Sequence, residues 1–158
     1  FPMLKLTDFH DGPRPPIIFT AIGPKSLAFA GTHCDGVLLH PFISPTGVRN
    51  STKIVRDAAI KAGRDPMSVR IYHNIIVAPD RVNKPFLWFP EGTRLQKEEV
   101  RQQWIDEGAA VGTAAICADQ LMHYLDAGAD EILLHGASPF DMGPLTTELK
   151  RALAARGL

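Results

Sequence analysis

The sequence predicts an α/β fold built on a parallel sheet or barrel, and a threefold repeat is the main reason. In each copy a helix-patterned stretch ends in Ala-Gly, a short polar link follows, and an apolar run closes near a histidine. A glycine after a helix can adopt the left-handed conformation that turns the chain back, and the apolar run then predicts a buried parallel strand. Tandem βα units place the carboxyl ends of their strands, the usual location of chemistry, at one edge. The copies run from Ala30-Gly31 to His40, from Ala62-Gly63 to His73, and from Ala127-Gly128 to His135.

The composition is that of one soluble domain spanning residues 1–158. The chain is 45% hydrophobic and formally neutral, so it can build a core, and its charge gives no reason to expect nucleic acid or an anionic membrane as a partner. Phe1 to Leu6 is too short for a signal peptide, and no apolar run approaches membrane-spanning length. We expect a cytoplasmic protein in which Cys34 and Cys117 are reduced and buried, without a disulfide or a zinc site.

The first half of the chain contains two strands, each followed by a helix. After a turn-rich lead-in at residues 11–16, a strand is predicted from Ile17 to Thr20. Pro24 fits the first turn of the next helix, which we expect to end at Gly31. A second strand, Val37 to His40, leads into a long helix whose apolar positions between residues 54 and 62 follow helical spacing.

The second half continues with a third strand from Val69 to about Val77. Residues 81–92 have no clean period, so we expect a surface loop anchored by its aromatic side chains or, alternatively, a lid. The pattern then predicts helices over 93–107 and 114–127, joined by a short link at Val111 to Thr113. A fourth strand over 131–135 and a last helix over about 145–156 complete the chain.

Two loops at strand ends are candidate binding sites. From Thr20 to Lys25, a strand turns through small residues into a helix start, an arrangement that can present backbone amides to a phosphate, with Lys25 adding a charge. A plain βα turn is the alternative. Gly112 and Thr113 precede another helix, where Thr113 as a helix cap is the default explanation. The residues of the first loop are Thr20, Ala21, Ile22, Gly23, Pro24 and Lys25.

The histidines divide by their position along the strands. His40 and His135 lie at strand carboxyl ends, where an imidazole can donate to a ligand or act as an acid or base, so both are candidates. His73 lies within its strand, which favours a satisfied interior or barrel-lining side chain. No histidine pair has metal-site spacing, and no Ser or Cys lies in a nucleophile motif, so hydrolase and metalloenzyme functions are rejected.

Two segments of the chain carry a family-specific pattern. The first runs from Pro16 to Lys25 and continues through Ala30-Gly31 and Asp35 to Leu39, and the second runs from Val111 to Gly136. They resemble the fifth-strand region and the segment leading into the eighth strand of the bacterial luciferase-like oxidoreductases, and most closely of the members that use the deazaflavin coenzyme F-420. The resemblance implies a TIM-type (β/α)8 barrel, of which this chain covers roughly strands five to eight with their helices.

The same resemblance implies a function and a site. It implies hydride transfer at the carboxyl-terminal mouth of the barrel, where the loop matching Ala21 to Pro24 helps to hold the cofactor phosphate through backbone amides and the position of His40 lines the same region. Thr20 and Lys25, at the two ends of that loop, are counted with it as cofactor-binding candidates. Gly112 and Thr113 are carried over as cofactor-binding candidates. We expect coenzyme F-420 as the cofactor, with FMN as the alternative, a small organic substrate, and a homodimer.

Three other functions stay open. A reduced-FMN monooxygenase belongs to the same family. A noncatalytic half-barrel that binds a cofactor or pairs with its own copy comes from a different class, because four βα units cannot close an eight-stranded barrel. A phosphate-binding lyase or isomerase barrel is a third possibility.

Overall fold

The computed structural model describes residues 12–79, 108–136 and 142–158. The loop and helix expected between residues 81 and 107 therefore lie outside the described residues. In chain order the elements are β1 (Ile18–Ala21), α1 (Pro24–His33), β2 (Gly36–Leu39), α2 (Pro45–Lys61), a 3-10 turn (Pro66–Ser68), β3 (Arg70–Pro79), β4 (Ala109–Gly112), α3 (Ala114–Asp126), β5 (Glu131–Gly136) and α4 (Met142–Ala154).

The described strands form one sheet in which every pairing is parallel. The path runs β1-β2-β3-β4, and β5 also pairs with β3. Tyr72 of β3 pairs with both β2 and β5, and Ile76 pairs with both β4 and β5. Because a residue has one neighbouring strand on each side, β5 occupies one edge of β3 while β2 and β4 follow each other along its other edge.

The two faces of the sheet differ in their cover. Side chains alternate between faces along a strand, and Val37, Leu39, Ile71 and Ile75 are fully or almost fully buried in a core that includes residues of all four described helices. We call this side the helix-covered face. Helices collect on one side because consecutive parallel strands are joined by right-handed crossovers. The other side, the open face, carries Ile18, Thr20, Leu38, Tyr72, Asn74, Leu133 and His135.

Two aspartates brace the amino-terminal edge of the sheet. Asp35, just before β2, accepts the backbone N–H of Ile17 at 2.7 Å and a bidentate contact from Arg14. The hydrogen bonds from Arg14 and from the Ile17 amide hold the pKa of the Asp35 carboxyl well below its usual range. Asp130, just before β5, accepts the N–H of Ile71 at 2.7 Å and the guanidinium of Arg56 at 2.9 Å. These two copies of the sequence repeat therefore supply the same kind of strand-to-strand clamp.

The three repeat glycines do not play one role. Gly63 and Gly128 have positive φ angles of 72° and 104°, as expected for residues that turn the chain after a helix. Gly31 lies inside α1, and a Cβ there would be 2.3 Å from the carbonyl oxygen of Val55 in α2. The prediction that α1 ends at Gly31 is therefore wrong, because this glycine permits close packing of two helices.

Two strand predictions also need correction. The link expected at Val111 to Thr113 is largely strand, since Ala109–Gly112 pairs with Ile76–Pro79 and gives a fifth described strand. β1 was expected to be buried, but Ile18 and Phe19 are 45% and 37% exposed because β1 has a partner on one side only among the described residues. The other described elements confirm the predictions, with ends that differ by a few residues and α2 beginning at Pro45.

None of the described helices has the length and apolar character needed to cross a membrane.

Candidate functional site

The turn between β1 and α1 presents a helix start without a side-chain cap. Gly23 is the N-cap residue, with extended φ and ψ of −90° and 161°, and Pro24 follows at the first helical position. The Leu27 amide donates to the Gly23 carbonyl at 2.9 Å, so the regular hydrogen-bond ladder begins there. The amides of the first turn have no partner within the helix itself. By contrast, Ser44 and Thr113 supply side-chain acceptors at the starts of α2 and α3.

Space remains open in front of this helix start. A Cβ at Gly23 would meet only the Ser26 hydroxyl oxygen, at 4.0 Å, among the described residues. Ala21 is buried and anchors the turn in the core, whereas Ile22 is 69% exposed. The buried Ala21 therefore fixes the turn against the core, and the exposed side of the turn can bind a group that accepts hydrogen bonds.

His40 lies beside this turn. Ala21 pairs with Leu39, so the next residues, Ile22 and His40, follow neighbouring strands that are about 4.8 Å apart. The Nδ1 atom of the half-buried His40 ring accepts the backbone N–H of Phe42 at 3.2 Å. Because Nδ1 is an acceptor, the proton of the neutral ring is on Nε2, which is then a donor.

The charge of the turn suits an anion. Lys25 is exposed at the start of α1, and residues 20–27 and 40–43 contain no carboxylate. Backbone amides, the His40 Nε2–H and the Lys25 ammonium are all donors, and the helix start adds a partial positive charge. The residues present therefore fit the phosphate of a flavin or deazaflavin.

The open face carries two further polar residues at the carboxyl-terminal side of the sheet. Asn74 is half-buried and follows the pair Leu39–His73, so it lies at the level of His40 on the adjacent strand. Sequence reasoning missed it, although an asparagine inside an apolar strand was a usable signal. His135 pairs with Ile76, two strands from His40, about 10 Å across the sheet. His40 and His135 therefore lie on the same face of the sheet, on strands that are two apart.

Gly112 and Thr113 lie elsewhere along the sheet. Gly112 pairs with Pro79 of β3, whereas the last residue of β2 pairs with His73 of the same strand. His73 and Pro79 are six residues apart, so Gly112 lies about 20 Å farther along the sheet than the end of β2. The Thr113 hydroxyl accepts the Ile116 amide at 3.3 Å, which confirms its predicted capping role. Gly112 has a φ of 136°, a backbone conformation that favours glycine. The structure thus does not bring these two residues to the β1–α1 turn.

His73 is on the helix-covered face, away from the turn site. It is completely buried and stacks on Tyr124 of α3, with ring centroids 4.6 Å apart. Its interior location confirms the prediction, but it is not satisfied, since neither ring nitrogen has a hydrogen-bond partner in the described structure. Burial, with a smaller contribution from His40, lowers the pKa of His73 to about 4. No group of three or more potential metal ligands occurs in the three described ranges.

Solved structures with the same fold include enzymes of two cofactor types. The F-420-dependent secondary alcohol dehydrogenase in complex with an F-420–acetone adduct is 19% identical, with a TM-score of 0.67 over 86% of this chain and 48% of that chain. The coenzyme F-420 dependent tetrahydromethanopterin reductase from Methanopyrus kandleri is 17% identical, with a TM-score of 0.61 over 85% and 48%. Riboflavin lyase, solved with modified FMN and riboflavin, is 15% identical, with a TM-score of 0.64 over 90% and 43%.

These likenesses establish the fold as that of luciferase-like barrels, and this chain spans less than half the length of each of those structures. A search of curated proteins gives no match to the chain. The model of the luciferase-like monooxygenases matches residues 2–84, which is more than half of the chain and includes both the β1–α1 turn and His40. The protein therefore belongs to the luciferase-like monooxygenase family.

Proposed function

We propose that this chain forms the phosphate-binding side of a deazaflavin-dependent oxidoreductase, with coenzyme F-420 as its cofactor. The observation that carries the proposal is the uncapped start of α1 beside His40, where the first-turn amides, the His40 Nε2–H and the Lys25 ammonium are donors and residues 20–27 and 40–43 contain no carboxylate. Two of the solved structures described above are F-420-dependent enzymes, which supports the choice of cofactor.

Each residue of the turn has a separate task in this proposal. The first-turn amides of α1 bind the phosphate, the Nε2–H of His40 donates from the neighbouring strand, and Lys25 contributes charge. Gly23 leaves room for the phosphate because it has no side chain. Thr20 and Asn74 lie on the open face, where they can line the path of the cofactor away from its phosphate.

When bound, a deazaflavin supplies two-electron hydride chemistry, and the protein around it provides orientation and excludes water. His135 is a candidate for moving a proton, because its imidazole lies on the open face near the end of β5. The substrate is a small organic molecule, and the site of action is the cytoplasm, in keeping with a formally neutral chain.

FMN is the second candidate cofactor, and the complex of riboflavin lyase with modified FMN favours it. The phosphate of FMN presents the same acceptor oxygens to the turn. The turn alone does not discriminate between the two cofactors, so a titration with both is needed.

A binding titration with matched glycine variants tests the proposal. We expect coenzyme F-420 or FMN to raise the melting temperature of the chain, and FMN to bind at least tenfold more tightly than riboflavin, which lacks the phosphate, a difference of about 1.4 kcal/mol. Gly23→Val should weaken phosphate-dependent binding by a similar factor or more, because its side chain would occupy the space in front of the amides.

Gly143→Val is the matched control. Gly143 lies in the first turn of α4, and a Cβ there would meet no atom within 4 Å among the described residues. The control should keep both fold and affinity. Equal binding of riboflavin and FMN, or unchanged binding by Gly23→Val, would refute the phosphate site. The tighter of the two cofactors identifies the branch of the family.

A further inference from the structure

We infer that Gly108, the buried residue directly before β4, is a positioning residue for His40. Because Gly108 has no side chain, the chain that leaves β2 can close over the start of β4, and this closure fixes the His40 ring. His40 enters here as a donor to the cofactor phosphate, so the role of Gly108 rests on the proposed function. Gly108 acts on the cofactor through His40 and not by contact.

The register of the sheet brings Gly108 to the loop that carries His40. Strand β2 ends opposite His73, and β4 begins opposite Ile76, three residues farther along β3. Both strands occupy the same edge of β3, because β5 occupies the other edge. The chain leaving β2 therefore turns off the sheet where β4 enters it, and residues 40–43 cross the residue that precedes β4.

The contact between these two segments is made by backbone atoms. A Cβ at Gly108 would lie 2.9 Å from the Cα atom and 3.1 Å from the carbonyl carbon of Phe42, and 3.3 Å from the amide nitrogen of Ile43. Carbon atoms in contact are ordinarily about 3.5–4.0 Å apart. A backbone cannot rotate aside as a long side chain can, so Gly108→Ala would displace Phe42 by about 0.5 Å or more.

Phe42 is the residue that sets the tautomer of His40. Its backbone N–H donates to His40 Nδ1 at 3.2 Å, the long end of the ordinary range for such a bond, and the two ring centroids are 5.6 Å apart. A displacement of Phe42 therefore stretches this hydrogen bond beyond its range. Without the bond, the proton of the neutral ring exchanges between the two nitrogens, and Nε2 is no longer a fixed donor.

The far end of the loop is fixed independently of Gly108. The Ser44 hydroxyl accepts the Gly47 amide at 3.3 Å and caps α2, and Ile43 is packed against the core. The near end continues from β2, which is paired on both sides. We therefore expect the substitution of Gly108 to move the middle of the loop and to leave the fold in place.

Nitrogen-15 spectra of the His40 ring test this inference in the cofactor-free chain at about pH 8.5, where an ordinary imidazole is neutral. We expect the wild-type ring to hold its proton on Nε2, and Gly108→Ala to give a mixture of the two tautomers. Ala110→Gly is the matched control, because Ala110 is buried in the same strand and its truncation weakens β4 without adding an atom beside Phe42. The control should keep the wild-type tautomer.

The binding of two flavins separates positioning from general damage. Riboflavin lacks the phosphate, so its affinity should be the same for the wild type and for Gly108→Ala. FMN should bind Gly108→Ala about threefold to tenfold more weakly, which corresponds to the loss of one hydrogen bond. A parallel loss for both ligands, or an unchanged affinity for FMN, would contradict the positioning role.

A wild-type His40 ring without its proton on Nε2 would overturn the inference. A folded Gly108→Ala chain with the wild-type tautomer would do the same, as would an equal tautomer change in Ala110→Gly. If circular dichroism shows that Gly108→Ala does not fold, a nuclear Overhauser effect between the α-protons of Gly108 and Phe42 in the wild type decides: its presence supports the contact and its absence refutes it. Failure of the wild type to bind either FMN or coenzyme F-420 would instead refute the proposed function, because the tautomer measurement needs no cofactor.

Discussion

His73 combines complete burial with an imidazole that has no hydrogen-bond partner in the described structure. A buried polar group without a partner is costly, and charging it costs more, so the neutral ring is strongly preferred. The stacked Tyr124 ring offers an aromatic face, and burial raises the pKa of its hydroxyl to about 12. Both side chains therefore remain neutral near pH 7 and behave as part of the core.

This arrangement predicts an acid-sensitive fold. The pKa of His73 is about 4 in the folded chain and near 6.5 when unfolded, so between these values only the unfolded chain binds the proton. The resulting stability is complete above pH 6.5 and is lost as the pH falls towards 4, by on the order of 3 kcal/mol for this one group. Urea unfolding measured between pH 7 and pH 4 should show that loss.

His73→Phe should remove this share of the pH dependence, because phenylalanine preserves the stacked ring and has no titratable nitrogen. His123→Phe is the control, since the His123 side chain is 60% exposed on α3 and its contact with the exposed Asp119, at 3.7 Å, is worth little, so this variant should keep the acid-dependent loss of stability. A profile for His73→Phe that retains the full slope of the wild type would show that other groups cause the acid sensitivity.

At the scale of elements, the sequence repeat serves two different edges of the sheet. The repeat ends in a histidine, so His40 and His135 lie towards the carboxyl-terminal side of the sheet. The aspartates before the same two strands, Asp35 and Asp130, form hydrogen bonds at the amino-terminal side. Asp130 links α2 to the start of β3 through Arg56 and the Ile71 amide, and the paired side chains are only 19% and 15% exposed. Arg56 also donates to the Val69 carbonyl at 2.6 Å and to the carbonyl of Pro66.

Asp130→Asn should therefore be strongly destabilising. The substitution leaves the largely buried Arg56 without its carboxylate, and such unpaired charges cost about 3 kcal/mol or more. Asp57→Asn breaks the exposed ion pair with Lys53 on α2 and should cost less than about 1 kcal/mol. Free energies of unfolding from denaturant titration provide the comparison. Similar losses for the two variants would contradict the assigned role of Asp130.

The largest difference between prediction and structure also appears among the elements. Hydrophobic periodicity located the helices and four of the described strands because their core positions recur regularly. It missed β4, because Ala109–Gly112 consists of small residues whose strand state is determined by pairing with β3. It also could not distinguish the role of Gly31 from that of Gly63. Gly31 allows two helices to pack closely and Gly63 adopts a positive φ angle, and both requirements favour glycine.

At the scale of the whole molecule, the described part is a parallel sheet with helices on one face. Parallel sheets are normally covered on both faces, so the exposed apolar residues of the open face and of the two edges call for further protein. Membership of the luciferase-like family and coverage of less than half of each matched structure agree with this view.

The candidate site could be predicted from the sequence only in part. The β1–α1 turn was accessible because a strand, a glycine and a proline in that order mark a helix start, and His40 followed from its strand-end position. The separation of Gly112 from that turn was not accessible, because it depends on the register of β4 against β3. The position of Asn74 beside His40 likewise depends on the register of β2 against β3.

The most direct test of the central claim, that the β1–α1 turn binds the cofactor phosphate, is a nitrogen-15 nuclear magnetic resonance titration of the chain with coenzyme F-420 and with FMN. We predict that the largest changes occur at the amides of Lys25 and Ser26 and at Nε2 of His40, with little change at residues 112–116. Binding that perturbs residues 112–116 most strongly, or that leaves the start of α1 unchanged, would contradict this account.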